Sequence, residues 1–297
     1  MKNNLLILTF LVSNFFGFTQ ETDKNIRQGK HYTSIRSYKE LYGDNFTKND
    51  SLKFIIQEND TLVPLPKDHK RPNGVSVPYE ARDSTFLEIY KDIVYKKFSK
   101  DSSKKRKIYM KLWKAPIKIY FGKSVDERYI KIIKRLTTSI SKEVDSLDIS
   151  IVNEVEKSNY IIYQINENNK YKYSKNLPKN KYIDYYSYWK KSVIYDTKLE
   201  INTTKYKNKV VNVNYLIQSF IKSLGHFNTT DKVPSKSVFF KSNSGKKRFT
   251  KEDLEILKYH YSYGICKFTD LEKFEEAHNK AKETFSKTGR YPKFINK

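Results

Sequence analysis

A regular stripe of apolar side chains between residues 129 and 147 constrains the fold of this chain more than any other feature. Steps of three and four residues separate its members, which is the period of one α-helical face. They are Tyr129, Ile133, Leu136, Ile140, Val144 and Leu147. Ser124, with Glu127 three residues later, predicts a capping box at the start of this helix. A helix with one apolar face must bury that face, so the stripe predicts a packed layer beneath it.

Strand patterns on either side of the helix indicate that this layer is a sheet. One apolar run precedes the helix and four runs follow it. The predicted strands are 115–121, 148–155, 159–165, 188–195 and 198–202, with a turn between the last two at Asp196-Thr197.

Three further helices are predicted after the strands. The first runs from Val211 to Leu224 and is followed by Gly225. The other two begin at Thr250 and Thr269, each with an acidic residue three positions later, Asp253 and Glu272. This order predicts an α+β domain over residues 113–297, with a single mixed sheet and helices packed on it.

The first twenty residues have the order of a secretory signal peptide. Lys2 is followed by the apolar run 5–12, which is too short to span a bilayer, and small and polar residues precede the first acidic residue, Glu21. We therefore expect cleavage near Thr19 or Gln20 and a secreted, periplasmic or cell-surface protein. Residues 21–112 are predicted to be an N-terminal extension. It holds a short hairpin (52–57 and 61–65), a proline-rich loop (64–78), one helix (84–98) and a basic linker (96–107).

The cysteine and histidine content limits the possible chemistry. Cys266 is the only cysteine, so no disulfide forms within the chain, and a half-buried structural thiol is expected there. No two histidines stand at a metal-pair spacing on one helix, although His260 could approach a cleft from the last part of the domain. The five are His31, His69, His226, His260 and His278. Motifs for a nucleophile elbow, a phosphate loop and a dinucleotide site are also missing.

The charge balance is strongly basic, with 58 lysines and arginines against 33 acidic residues and a net charge of +25. Such a balance commonly indicates nucleic-acid binding. Here the lysines are spread over the whole chain with many Asn, Ile and Tyr residues, and export would remove the protein from most nucleic acid. Nucleic acid is therefore not the expected partner. A basic exterior predicts a salt-dependent attraction to anionic cell-surface polymers instead.

The stretch "YLIQSFIKSLGHFNTT" (215–230) resembles the zinc helix of metzincin proteases, H-E-x-x-H-x-x-G-x-x-H. In that motif three histidines hold zinc, the glutamate activates the bound water, and the glycine turns the chain. With Gly225 on the motif's glycine, the ligand positions hold Gln218, Lys222 and Asn228, and the base position holds Ser219. A protonated lysine repels a dication and offers no lone pair, so this set does not predict a metal site.

The flanking segments strengthen the resemblance. "VIYDTKLEIN" (193–202) resembles the strand pair that precedes the metzincin zinc helix. "VPSKSVFF" (233–240) resembles the segment of the methionine turn, with Phe239 at the methionine position. "RFTKEDLEILKYHYSYGI" (248–265) resembles a matrixin-type closing helix. The simpler interpretation of the same helix is a core element that ends at Gly225 in the left-handed conformation.

A closer resemblance is to a bacterial domain family of unknown function that occurs in exported proteins and lipoproteins. Its helix ends in a Q-x-L-G-x-x-N-like pattern, followed by a serine–hydrophobic–phenylalanine segment and a similar last helix. The matching residues are 223–225, Asn228 and 237–239, while Lys222 replaces the glutamine and the helix glutamates are absent. This resemblance implies a fold and no known activity.

Together these patterns predict a secreted, catalytically inactive zincin-like domain with a binding or envelope-associated role. No catalytic, cofactor-binding or metal-binding residue and no cofactor is predicted. The candidate remnants of a cleft are Gln218, Ser219, Lys222, Gly225, Asn228 and Phe239. The metzincin arrangement implies an edge strand beside the cleft, to which an extended peptide could add, and the aromatic stretch 182–189 is expected just before that strand.

Two alternatives stay open from the sequence. One is an active secreted hydrolase or peptidase with a non-standard site. The other is a basic exoprotein that binds a polyanion or a glycan.

Overall fold

A computed structural model describes residues 32–35, 38–39, 43, 46–57, 60–66, 75–95, 107–144, 146–177, 183–204, 208–242 and 245–296. The chain forms two compact units, residues 1–71 and 72–297. The predicted signal peptide, residues 1–20, and most of the predicted basic linker lie outside the described residues. No helix of the described part is long and apolar enough to cross a membrane.

The first unit contains a three-stranded antiparallel sheet, in the order β1-β3-β2. Its strands are β1 (Tyr32–Ser34), β2 (Ile55–Gln57) and β3 (Asp60–Pro64), and a four-residue helix α1 (Lys48–Ser51) precedes β2. The predicted hairpin of β2 and β3 is confirmed. β1 was not predicted, because its three residues are too short to show an alternating pattern.

The second unit is built on a six-stranded, mostly parallel sheet in which β7-β6-β8-β10-β9 follow in order and β5 pairs with the start of β10. Only the β9–β10 pair is antiparallel. The strands are β5 (Leu112–Trp113), β6 (Ile117–Phe121), β7 (Ile149–Ile151), β8 (Tyr160–Ile165), β9 (Ile183–Lys190) and β10 (Val193–Asn202). The predicted combination of a mixed sheet with packed helices is confirmed.

Five helices and a small second sheet complete this unit as described. The helices are α2 (Ser84–Tyr95), α3 (Glu127–Glu143), α4 (Lys209–Ser223), α5 (Lys251–Tyr261) and α6 (Leu271–Thr288). The small sheet pairs β4 (Val75–Pro78) with β11 (Lys293–Asn296). Both of its strands correct the sequence analysis, which placed β4 in a loop, did not predict β11, and expected a single sheet.

α3 makes the parallel pairing of β6 and β7 possible, because parallel neighbours need a crossover connection and α3 is that crossover. The burial of its predicted stripe is confirmed, because five of the six side chains are buried and Leu136 packs at their margin. The helix itself is shorter than predicted: it ends at Glu143, so Val144 and Leu147 lie beyond it. α4 packs beside α3 on the same face of the sheet. The side chains of α2 belong to the same core, although the sequence analysis assigned that helix to the N-terminal extension.

The other face of the sheet carries a smaller apolar cluster. Ile161, Tyr163 and Ile165 of β8 pack there against Leu177 and Tyr173. The segment 166–177 therefore supplies a cover for this face.

The β9–β10 hairpin differs from the prediction. Its turn is at Lys191 and Ser192, whose φ angles are 46° and 67°. β10 continues through the predicted turn at Asp196-Thr197, with a shift in its pairing to β9 between Ile194 and Asp196. Two successive left-handed residues are typical of a tight hairpin turn. The aromatic stretch that was expected before the edge strand is β9 itself.

Two of the three predicted helix caps are wrong. Asp126 caps α3 by accepting from the Arg128 amide, while the Ser124 hydroxyl donates to the Gln164 carbonyl across the sheet. Asp270 caps α6 by accepting from the Lys273 amide. The third prediction, the capping box of Thr250 and Asp253 on α5, is confirmed.

The end of α4 corrects the expected conformation of Gly225. The left-handed residue is His226, with a φ of 55°, and Gly225 is not left-handed. A glycine is required at 225 for a different reason: a Cβ atom there would lie 2.2 Å from Cζ of the Phe227 ring. The ring of Phe227 covers the backbone of the helix end, and only a residue without a Cβ atom leaves room for the ring.

Gly225→Ala should therefore destabilise the second unit by about 1–3 kcal/mol, because the added methyl group must displace a buried ring. Gly122→Ala is the matched control, since its Cβ would meet only ordinary contacts at 3.4 Å or more. Urea unfolding followed by tryptophan fluorescence measures this unit alone, because both tryptophans, Trp113 and Trp189, lie in it. Equal stability of the two variants would contradict the steric explanation.

Candidate functional site

Gln218 occupies the first ligand position of the metzincin motif and works as a hydrogen-bond donor. It is buried on α4, and its amide nitrogen donates to the carbonyls of Val238 and Phe240, at 2.9 and 3.1 Å. The amide group thus fixes the 238–240 segment onto α4. This is the segment that the sequence analysis matched to the methionine turn.

Ser219 and Asn228 have similar roles. The Ser219 hydroxyl donates to the Ile183 carbonyl at the start of β9, at 3.4 Å. The backbone and side-chain nitrogens of Asn228 both donate to the Ile93 carbonyl near the end of α2, at 2.7 and 3.2 Å. The base position and the third ligand position of the motif therefore link α4 and its following turn to two other elements.

Lys222, at the second ligand position, is half-buried, and its backbone carbonyl accepts from the Phe227 amide at 2.9 Å. This bond closes the turn after α4 and, with it, places the Phe227 ring over Gly225. Phe227 also packs edge-on against Phe239, with ring centroids 5.5 Å apart. Phe239 is fully buried, so the candidate methionine position is filled by a core aromatic side chain.

Asp253 of α5 is the acidic residue that organises the 237–240 segment. Its carboxylate accepts from the Ser237 hydroxyl, from the Val238 amide at 3.2 Å and from the Thr250 amide at 2.9 Å. Burial raises the pKa of Asp253, and these hydrogen bonds oppose the rise. The sequence analysis assigned Asp253 only to a helix cap, so its bonds to Ser237 and Val238 were missed.

Lys247 is a second buried charge in this region that sequence reasoning missed. Its ammonium group donates to the Ser235 carbonyl at 2.8 Å and lies 4.8 Å from the centre of the Phe240 ring. Burial lowers its pKa. Nothing in the sequence distinguishes Lys247 from the many exposed lysines of the chain.

The described histidines have structural contacts that do not converge on the motif. His260 is fully buried, with its ring nitrogens bonded to the Lys111 carbonyl at 2.8 Å and the Tyr90 hydroxyl at 3.1 Å. Burial lowers its pKa to about 3, so the ring is neutral. His278 bonds to the Tyr79 hydroxyl, and His226 packs on Trp189. His31 and His69 lie outside the described residues.

The residues at the motif positions do not fit a zinc ion. Two of the three ligand positions use their amide nitrogens as donors to backbone carbonyls, and the third holds a cation. In the part of the chain that the structure describes, no group of three or more histidine, cysteine, aspartate or glutamate side chains is arranged to hold a metal ion.

The edge strand β9 is the other part of the candidate site. Within the described residues, β9 pairs only with β10 and packs under α4. Trp189 near its end is 40% exposed, and Lys190 and Lys191 beside it are exposed. Tyr185 contacts the core cluster, whereas Tyr186 packs against the cluster on the opposite face of the sheet. Successive aromatic side chains of β9 thus lie on opposite faces of the sheet, as alternation along a strand requires, and Trp189 is partly exposed to solvent.

Comparison with known proteins adds no assignment: no protein-family model matches the chain, and a search among curated proteins finds no match.

Replacing Gln218 tests whether its amide is a structural link. Gln218→Met leaves two carbonyls without their donor, and we expect the free energy of unfolding to fall by about 1–3 kcal/mol. Gln218→Glu should cost more near neutral pH, because a carboxylate cannot donate to a carbonyl. Urea unfolding of both variants measures these losses, and a Gln218→Met variant as stable as the wild type would contradict the assigned role.

The pH dependence of Gln218→Glu gives a further check. Only the protonated carboxyl can donate, so its pKa in the folded state should rise above the ordinary value of about 4.3. Below that value, the folded and unfolded states are both protonated. As the pH rises, the unfolded state ionises first, and the stability of the variant falls relative to the wild type. If the difference in unfolding free energy between the variant and the wild type stays constant from pH 4 to pH 7, the carboxyl group faces no carbonyl.

Proposed function

We propose that the second unit is a catalytically inactive zincin-like domain of an exported protein, and that it binds an extended peptide instead of cleaving one. One observation carries this proposal: side chains at the motif positions donate hydrogen bonds to the backbone carbonyls of neighbouring segments. Groups used in this way support the fold. They do not provide the lone pairs and the base that zinc-dependent hydrolysis requires.

The arrangement of β9, β10 and α4 supports the zincin-like assignment. β10 is followed along the chain by α4, and the antiparallel neighbour of β10 is β9, at the edge of the sheet. The metzincin resemblance implies an edge strand beside the cleft, in this place relative to the helix. The Ser219 bond to the Ile183 carbonyl attaches that strand to α4.

The outer edge of β9 has no partner strand among the residues that the structure describes, and such an edge provides a mechanism of recognition that needs no catalytic group. A peptide that adds to β9 would gain main-chain hydrogen bonds, and side-chain contacts at alternate positions would give specificity. Trp189 offers an exposed ring near the end of the strand, and Lys190 and Lys191 offer positive charge. Peptides with acidic residues are therefore favoured, and the net charge of +25 should attract them over longer distances at low salt.

Selection from a library of random extended peptides displayed on phage tests this proposal on the full chain. Selected peptides should lose affinity by about tenfold or more when alternate backbone nitrogens on one edge are methylated, because strand addition needs those donors. Methylation of the other edge should have little effect. Trp189→Ala should weaken binding, whereas Tyr195→Ala, which removes an exposed ring from β10, is the matched control.

Two results would contradict the proposal. Peptides that keep their affinity when the backbone nitrogens of either edge are methylated do not bind by strand addition. Polyacidic peptides that tolerate methylation and are released by moderate salt would indicate the polyanion-binding alternative instead.

A further inference from the structure

A cavity of about 420 Å³ lies between β5, the segment that follows α5, and Phe294 of β11. Its volume is in the range of small-molecule sites. We call it the Lys267 pocket, after the lysine in its wall. None of the six candidate cleft residues and no residue of β9 lines it, so it is separate from the proposed peptide site.

The charge of this pocket is not balanced. Of the described residues that line it, Lys114 and Lys267 are basic and none is acidic. The Lys267 ammonium group donates to the His260 carbonyl at 2.8 Å, and no described carboxylate forms an ion pair with it. Lys114 is exposed, and its ammonium group lies 5.1 Å from the centre of the Phe268 ring.

Cations that line two other cavities have acidic partners. In one of them, Arg82 bonds to Glu80 and Glu255, and Lys258 bonds to Glu143 at 2.9 Å. In another, Lys91 pairs with acidic side chains at 2.5 and 2.9 Å. Arg82, Lys258 and Lys91 are thus paired with carboxylates of the chain, whereas the structure shows no such ion pair for Lys267 among the described residues.

The walls of the pocket are largely aromatic, and most of their polar groups already have partners. The rings belong to Trp113, Tyr261, Tyr263, Phe268 and Phe294. The Tyr261 hydroxyl donates to the Leu224 carbonyl at 2.5 Å, and the Ser146 hydroxyl donates to the Tyr261 carbonyl at 2.7 Å. Thr269 bonds to the Tyr95 hydroxyl. The ammonium groups are therefore the groups best placed to recognise a polar ligand atom.

The backbone of Phe268, in the wall of the pocket, has an unusual conformation. Its φ of 59° lies in the left-handed region, which a bulky residue rarely adopts. The conformation sets Lys267 and Phe268 together in the pocket wall.

We propose that the Lys267 pocket binds a small aromatic carboxylate, with its anionic group at Lys267 and Lys114 and its ring against the aromatic walls. A planar apolar body fits the rings, and a carboxylate supplies the negative charge that the lining lacks.

Binding should depend on pH through Lys267. Burial lowers its pKa to about 7, and the nearby Glu80 carboxylate opposes this. Three neighbouring groups have pKa values that burial moves away from neutral pH. Burial lowers the pKa of His260 to about 3 and raises that of Cys266 to about 11, and the pKa of Tyr261 is also raised. Ligand binding should thus take up a proton, and affinity should fall as the pH rises through 7.

Isothermal titration of the full chain with 2-naphthoate near pH 6 tests the proposal. The neutral 2-naphthamide, which has the same ring system, is the control ligand. We expect the carboxylate to bind about tenfold more tightly or better, because charge-assisted hydrogen bonds in a desolvated site are strong. Equal affinities, or no binding of 2-naphthoate at millimolar concentration, would overturn the proposal.

Variants locate the site. Lys267→Met should lower 2-naphthoate affinity about tenfold while keeping the fold, since it removes a buried charge and leaves a side chain of similar length. Lys258→Met, which alters the neighbouring cavity, should leave the affinity unchanged. Lys114→Met, at an exposed position, should weaken binding without affecting stability. Unchanged affinity in both Lys267→Met and Lys114→Met would place the ligand elsewhere and overturn the proposal.

The pH profile separates a specific role of Lys267 from general attraction to a basic protein. Wild-type affinity for 2-naphthoate should fall about tenfold between pH 6 and pH 8.5, as the Lys267 ammonium loses its proton. In Lys267→Arg the side chain stays charged over this pH range, so the affinity for 2-naphthoate should no longer depend on pH. The same dependence in wild type and Lys267→Arg would contradict the assignment.

Discussion

The hydrogen-bond donors on and just after α4 determine how the second unit is assembled. Gln218 bonds to the 238–240 segment, Ser219 to the start of β9, and Asn228 to the end of α2. Each of these side chains donates to a backbone carbonyl, and a buried carbonyl left without any donor would cost about 1–3 kcal/mol. Three segments that are far apart in the sequence are thereby gathered around one helix. The Phe227 ring then closes over Gly225 and completes the helix end.

Under the proposed zincin-like assignment, these bonds replace the links that a metal would make. A zinc ion in a metzincin joins the helix to the turn after it through shared ligands. Here the Lys222 carbonyl closes that turn, and Asn228 attaches it to α2. Asp253 holds the segment on the other side through Ser237 and Val238. The fold can therefore keep its shape without the metal. The outer edge of β9, which no strand of the described residues covers, is then the element most suited to recognition.

Periodic elements could be predicted from the sequence, and contacts between distant segments could not. The stripe of α3 and the strands β6 to β8 follow from local apolar periods that tertiary packing then uses. The β9–β10 turn was missed because Lys191 and Ser192 are not residues that favour left-handed backbone. Motif alignment selected Gln218, Ser219 and Asn228, but their acceptors, such as the Ile93 carbonyl, become visible only in the folded chain. The Lys267 pocket had no sequence signal at all, because desolvation of one lysine among many depends on its surroundings.

The most direct test of this account is the metal content of the purified protein, measured by elemental mass spectrometry after exposure to zinc and extensive dialysis. If Gln218, Ser219 and Asn228 are committed to backbone carbonyls and Lys222 carries a positive charge, zinc should remain well below one equivalent per chain. One tightly held zinc per chain would contradict the account. It would mean that metal ligands are assembled from other parts of the protein, and peptidase activity would then be the next property to measure.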